Sequence, residues 1–468
     1  MFIRFTDKEN YMKDTIAAIA TGMGNSGIGI IRISGDEALI IADKLFIPKN
    51  KNKSIATMES YTAAYGVISY DGEIYDEAIA LVMRAPGTYT AENVVELDCH
   101  GGITVLKRIF DLVIRLGARP AEPGEFTKRA FLNGRIDMSQ AESVMDLIHA
   151  KNDMAAKSSL KQLSGELTKL IKDMREKLLY NIAYIESALD DPENYSLEDY
   201  PQQLEDTVDN MLITVEKLIK SSTDGRLIKE GIRTAIVGRP NAGKSSVLNM
   251  LLGEERAIVT DIEGTTRDTL EEYINIDGIT LNIVDTAGIR TTSDTVEKIG
   301  VDKAIASIDD ADLILYIVDG TTTLDENDFK IMDKIKDKKS ITLINKNDLE
   351  TVVDKVLISN TINTKILEIS AKEGTGKDNL HTLLKEMFFN NELNYNDEIY
   401  ITNQRHKALL YESKESLNKV LESIHLMMGE DFLTIDLMAA YASLGKIIGE
   451  ELEDDLVNKI FAELCMGK

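Results

Sequence analysis

Gly238-Arg-Pro-Asn-Ala-Gly-Lys-Ser245 has the G-x-x-x-x-G-K-[ST] spacing of a phosphate-binding loop. An apolar run, Thr234–Val237, leads into it, and a helical pattern, Lys244–Leu252, leads out. Backbone N–H groups of such a loop, with the positive end of the following helix, make a cradle for anions. Lys244 is placed to reach the β- and γ-phosphates, and the Ser245 hydroxyl to ligate Mg²⁺. Alone, this spacing says only that a triphosphate is bound.

Working outward, three further motifs follow in order. Thr265 and Thr266 stand in Glu263-Gly-Thr-Thr-Arg-Asp268, Asp285-Thr-Ala-Gly288 follows the apolar run Ile279–Val284, and Asn345-Lys-Asn-Asp348 follows Ile341–Ile344. Together they point to GTP. The Asp348 carboxylate accepts from both N1–H and the exocyclic amine of guanine, a donor pair that adenine lacks, so ATP is rejected. Ser370-Ala371-Lys372, after Ile366–Ile369, fits the last guanine-contacting loop. The expected GTP contacts are Asn241, Ala242, Gly243, Lys244, Ser245 and Ser246; Thr260, Asp261, Ile262, Glu263, Gly264, Thr265 and Thr266; Asp285, Thr286, Ala287 and Gly288; Asn345, Lys346, Asn347 and Asp348; and Ser370, Ala371 and Lys372. Mg²⁺ is assigned to Ser245, to Thr266 in the triphosphate state, and to Asp285 through water. Ile289 stands where a water-orienting glutamine would be expected and cannot hydrogen-bond a nucleophile. Asp294 and Glu297 downstream are both candidates for that task.

The strands and helices around these motifs alternate from 222 to 390, the pattern of a mostly parallel, doubly wound sheet. Residues 1–118 mix β-rich runs (Gly27–Ile33, Ala78–Met83, Val94–Leu97) with a helical stretch, Thr104–Leu116, and read as an α+β domain with antiparallel pairing. Residues 119–221 and 391–468 carry apolar residues at helical spacing, with long amphipathic helices expected over Ser139–Leu189. Ser221–Gly225 reads as a linker. The predicted fold is thus multidomain α/β, with a Ras-like doubly wound domain inserted in an α-helical bundle and an α+β domain before it.

Composition bounds the partners. The 468 residues carry 53 Lys and Arg against 79 Asp and Glu, a formal charge of −26, which disfavours general binding to phosphate backbones. Two cysteines, Cys99 and Cys465, suit a reducing cytosol, and Cys99 reads as structural. The stretch Met1–Asp14 lacks the apolar core of a secretory leader, and no apolar run reaches membrane-spanning length. A cytoplasmic protein without membrane contact is expected.

Beyond the nucleotide motifs, the chain resembles the MnmE (TrmE) family of tRNA-modification GTPases over essentially its full length. The resemblance lies in Gly27-Ile-Gly-Ile-Ile-Arg-Ile-Ser-Gly35, Tyr89–Leu97 with His100-Gly-Gly102, Pro123–Asn133, the GTP motifs and Cys465-Met-Gly-Lys468. It implies that residues 1–118 form a domain that dimerises and binds a tetrahydrofolate (5,10-methylene or 5-formyl) through Arg32, Glu96, Arg135 and Lys468. It also implies that Glu297 is catalytic alongside Lys244 and Thr266, and that K⁺ is held by Asn241, Thr260, Ile262 and Thr265. The implied partners are a second copy of the chain, tRNA and an MnmG/GidA-type flavoprotein carrying FAD. With them the enzyme would add an aminomethyl or carboxymethylaminomethyl group at C5 of the wobble uridine, U34. Cys465 beside a folate suggests one-carbon chemistry. The alternative is a regulatory or ribosome-assembly GTPase without modification chemistry. One departure from the family pattern is Thr21-Gly-Met-Gly-Asn-Ser-Gly27, which lacks the prolines and arginine its relatives tend to have there.

Overall fold

Alternating apolar residues at 31 and 33, and at 95, 97 and 99, are buried, and they mark the inner face of a sheet built from the first third of the chain. In a computed structural model the described residues are 14–195, 200–253, 272–276, 278–284, 308–389, 399–450, 454–462 and 467. The chain divides into two units. The first comprises Met1–Met145, Gln162–Val208 and Glu415–Lys468, and the second comprises Asp146–Lys161 and Asp209–Lys414.

Among the described residues the first unit holds seven strands: β1 (Ile16–Ile19), β2 (Ser26–Ser34), β3 (Phe46–Pro48), β4 (Thr62–Tyr70), β5 (Glu73–Met83), β6 (Val94–Gly101) and β7 (Arg119–Pro120). Their order is β3-β4-β5-β6-β2-β1-β7, antiparallel except where β7 runs parallel to β1. The sheet therefore extends past the expected boundary at 118. Arg119 pairs in register with Ile16, and its guanidinium bonds Asp14 at 2.7 Å and Glu125 at 2.6 Å, which ties the segment to the sheet. Helices Ala38–Leu45 and Ile103–Arg115 supply Leu39, Ile41, Leu106, Ile109 and Leu112 to the core beneath.

Elsewhere in this unit, helices Glu166–Asp190 and Glu430–Ile447 pack together. Leu167, Ile171, Met174 and Leu178 are buried on the former, and Leu433, Leu437, Ala440 and Leu444 on the latter. The expected long helices over Ser139–Leu189 are three in fact: Met138–Ile148, Asp153–Leu163 and Glu166–Asp190. Asn152 interrupts the first break, its Oδ1 accepting from Ala155 N at 2.7 Å as a helix cap does. Gly165, at a φ of 86°, makes the second break.

Among the described residues the second unit is built on six strands: β8 (Ile232–Val237), β9 (Glu272–Ile276), β10 (Ile279–Ile283), β11 (Leu313–Asp319), β12 (Ser340–Asn345) and β13 (Thr364–Glu368). The order β13-β12-β11-β8-β10-β9 is parallel except for β9. β11 is buried throughout because both of its faces are covered. Leu313, Leu315 and Ile317 pack with helices Lys244–Leu252 and Lys377–Phe389, and Ile314, Tyr316 and Val318 pack with helix Glu326–Ile335.

The expected linker Ser221–Gly225 lies inside the helix Tyr200–Glu230, so the boundary at 221/222 falls within one element. Polar composition misleads there because Ser221, Ser222 and Gly225 each have a packing task. Ser221 and Ser222 return their hydroxyls to the carbonyls of Leu218 and Ile219, and Gly225 admits the Ile401 carbonyl, which a Cβ would meet at 2.3 Å. Within the next turn, Leu227 and Ile228 enter the core of the sheet.

Candidate nucleotide-binding site

The motif-bearing loops that the structure describes leave the C-terminal ends of parallel strands: residues 238–243 after β8, 346–348 after β12 and 370–372 after β13. β8 has β10 on one side and β11 on the other, so the strand order reverses there. In doubly wound sheets ligands bind outside the carboxyl ends of the strands at such a point.

The phosphate loop is shaped for close backbone approach. Gly243 has a φ of 96°, and a Cβ on it would lie 2.1 Å from Asn345 Nδ2, so a side chain would fill the cradle. Asn241 adopts a φ of 61° without being glycine, a conformation that asparagine tolerates better than most residues. Lys244 opens the following helix and donates Nζ to the carbonyls of Gly238 at 2.8 Å and Arg239 at 2.9 Å. The ammonium thus spans its own loop, with Ser245 next in the same first turn.

The base-reading loops are tied to this cradle. Asn345 Nδ2 donates to Ala242 O at 3.1 Å, and its Oδ1 accepts from Ala371 N at 3.0 Å, so one buried side chain spaces three loops. Ser370 Oγ donates to Asp348 Oδ1 at 2.7 Å, which holds this exposed carboxyl below the usual carboxylate range. Glu373 N donates back to Ser370 Oγ at 3.2 Å, and Asn347 N to Ile369 O at 3.1 Å. Asp348 is thus ionised, oriented and open to a ligand that offers donors.

Several ties here carry weight that motif reading missed. Lys346, at a φ of 69°, sets Nζ 2.5 Å from Asp319 Oδ2, while Thr321 donates its N–H and hydroxyl to Asp319 Oδ1 at 2.9 and 2.7 Å. Burial alone would raise Asp319, yet Lys346 and Thr321 keep it lowered. Arg239, a variable position of the phosphate loop, pairs with Asp325 at 2.9 Å and with the fully buried Asp328 at 3.4 Å. Asp328 also accepts from the buried Tyr316 hydroxyl at 2.9 Å. Asp325 and Asp328 close a capping box at the start of helix Glu326–Ile335, so the loop is anchored to a helix end. The Asp-x-x-Asp spacing at the start of an amphipathic helix was the available signal.

Thr260, Asp261, Ile262, Glu263, Gly264, Thr265, Thr266, Asp285, Thr286, Ala287, Gly288, Glu297, Cys465 and Lys468 lie outside the described residues, as do Ile289 and Asp294. Of the residues expected to bind folate, Arg32 and Glu96 are directly opposed on β2 and β6 and form an ion pair of 2.7 Å. Arg32 also donates to Gly467 O at 3.0 Å and lies over the Phe126 ring. Arg135 stacks on Tyr89, whose ring packs in the small apolar cluster that contains Phe126. Three of the four assigned side chains thus belong to one neighbourhood, rich in cation and aromatic faces. Cys99 is buried, and burial beside Asp76 and Asp98 pushes its thiol up to about 12, which fits the structural role expected of it.

A doubly wound sheet with a phosphate loop after its central strand and a guanine-type Asn-Lys-x-Asp loop two strands away defines a P-loop GTP-binding protein. The family models described as "MnmE helical domain" and "GTP-binding protein TrmE N-terminus" match residues 138–465 and 15–135. A tRNA modification GTPase MnmE of Lachnoclostridium phytofermentans is 55% identical over 97% of this chain and 99% of its own length. The proteins of the same name from Acetivibrio thermocellus and Thermoanaerobacter pseudethanolicus are 47% and 45% identical, over 98% and 97% of this chain and 100% and 99% of theirs. The chain belongs to the MnmE family, as its motifs led us to expect.

Proposed function

We propose that this chain is a GTP hydrolase acting in tRNA modification. The observation that carries the reading is the joint placement of Lys244, Asn345, Asp348 and Ser370 at the carboxyl ends of one sheet, in a chain alike along its length to proteins named for that activity. The Gly243 cradle and the Lys244 ammonium suit a phosphate chain, and the Ser370-held Asp348 suits guanine. Bound Mg²⁺, assigned to Ser245, Thr266 and Asp285, would neutralise phosphate charge. The protein's own contribution is positioning, through the Asn345 and Arg239 ties that hold the loops.

The finer reading follows from family membership. Glu297 orients the attacking water, since Ile289 cannot. K⁺, held by Asn241 with Thr260, Ile262 and Thr265, supplies positive charge where other GTPases use an arginine. The positive φ of Asn241 supports a special task for it. Two copies of the chain and an MnmG/GidA-type FAD protein install the aminomethyl-type group at C5 of U34. The one-carbon unit comes from a tetrahydrofolate bound near Arg32, Glu96, Arg135 and Lys468, with Cys465 a candidate participant. Residues 1–118, 119–221, 222–390 and 391–468 are the proposed functional divisions, their edges adjusted where β7 and the helix Tyr200–Glu230 run across them.

Steady-state hydrolysis of GTP and ATP, in KCl and in NaCl, tests the nucleotide half of this reading. Turnover is expected with GTP only, and much faster in KCl. Glu297→Ala is expected to keep nucleotide affinity and lose turnover. Equal rates in the two salts would remove the K⁺ assignment, and ATP turnover would remove the guanine assignment.

A further inference from the structure

Helix Glu430–Ile447 in the first unit is apolar on two sides, and only one of them is covered. Leu433, Leu437, Ala440 and Leu444, at a four-three-four spacing, are buried where the helix packs on helix Glu166–Asp190. On the far side Phe432, Ile435 and Met438 are 52%, 64% and 53% exposed, with the exposed Ala439 beside them. Met428, just ahead of the N-cap Gly429, continues this row toward solvent. A surface helix ordinarily carries one apolar stripe with polar residues opposite, and a helix apolar on both sides is a buried one. Single exposed apolar side chains are ordinary, whereas a contiguous row rimmed by polar groups marks an interaction site.

Spacing and charge select the occupant. Met428, Phe432, Ile435 and Ala439 recur at the same four-three-four interval, which is that of a coiled-coil seam whose side chains fit between those of a facing helix. Methionine adds a side chain that adapts to its neighbour. The first two turns of the helix bear Glu430, Asp431 and Asp436 alongside the row, and its one basic residue, Lys446, stands in the last turn. On the preceding helix, Gln404–His425, Lys419 lends its charge to Asp436 but is already paired with Glu415 at 2.9 Å. A second copy of this chain laid on the row would bring like carboxylates face to face, which repulsion opposes. A helix with Lys or Arg flanking its own apolar seam would meet opposite charge there.

We propose that the row Met428, Phe432, Ile435 and Met438 docks a basic amphipathic helix of another protein. The apolar side chains supply the buried centre of the contact, and Asp431 and Asp436 steer the basic flanks of the incoming helix.

The test is fluorescence anisotropy of two labelled helical peptides titrated with the full-length protein. Both peptides carry leucine at seam positions, one flanked by lysine and the other by glutamate. The lysine peptide is expected to bind saturably, one per chain, and the glutamate peptide at least about tenfold more weakly. Phe432→Ser and Ile435→Ser keep the charge of the chain and replace exposed side chains, so the fold stands, which an unchanged thermal melt checks. Each should weaken the lysine peptide about tenfold or more. Lysine-peptide affinity unchanged in both variants would mean that the net charge of −26 alone attracts it, and would overturn the assignment. Absence of saturable binding, or equal binding of the two peptides, would do the same. Sedimentation of wild type and variants is expected to give equal masses, and a lower mass for the variants would assign the row to a second copy instead.

Discussion

In the proposed site Asp348 would meet a guanine with one oxygen already held by Ser370 and the rest of its carboxylate open, so the group is oriented before a ligand arrives. Asp348→Asn replaces two charged acceptor contacts by an amide that offers the wrong partner. GTP affinity is expected to fall at least about a hundredfold in fluorescence titration, with binding of xanthosine nucleotides gained in exchange, because xanthine carries a carbonyl where guanine has its amine. Gly243→Ala acts on shape instead. Its methyl would stand 2.1 Å from Asn345 Nδ2 at a φ of 96°, breaking the tie between cradle and base loop. Left-handed strain of about 1–2 kcal/mol adds to that, and at least a tenfold loss of GDP affinity is expected by the same titration. Cys99 is expected to resist iodoacetamide at pH 8 in the native protein and to react after denaturation, as read by peptide mapping. Its thiol is raised to about 12, so at pH 8 the reactive thiolate is scarcely populated until unfolding returns the group to its ordinary value.

At the scale of elements, strand-to-loop punctuation made the nucleotide site legible. An apolar run ending in Gly, Asp or Asn marks where buried sheet meets open backbone, and helix Lys244–Leu252 matches the expected bounds to the residue. What escaped was long-range. Asp319, Asp328 and Tyr316 matter through partners distant in sequence, and no local pattern couples Arg239 to Asp325 across 86 positions. The misread linker has the same cause. Gly225 looked like a flexible break, yet its missing side chain makes room for the backbone of Ile401. Two effects oppose each other in Gly225→Ala. Helix propensity favours alanine by about 1 kcal/mol, while the 2.3 Å approach to a backbone carbonyl demands a shift costing about 1–3 kcal/mol. The contact is expected to win, lowering the melting temperature by several degrees in a thermal scan. A rise would mean that the helix gives way easily at that point.

For the whole molecule, an acidic chain that acts on tRNA needs its nucleic acid delivered by local basic features or by a partner, since the net charge of −26 opposes phosphate at long range. The MnmG/GidA-type flavoprotein proposed above would supply such a partner, and the GTP cycle would then serve as the switch that times their joint work. On that proposal the antiparallel sheet of the first unit and the doubly wound sheet of the second would divide that labour, with the Arg32–Glu96 neighbourhood on one and the phosphate loop on the other. The most direct measurement is nucleoside mass spectrometry of bulk tRNA from cells lacking this protein, complemented with wild type or with Lys244→Ala. The expected result is loss of the C5-aminomethyl-type uridines, restored by wild type and not by Lys244→Ala. Unchanged wobble uridines in the cells lacking the protein would contradict the account.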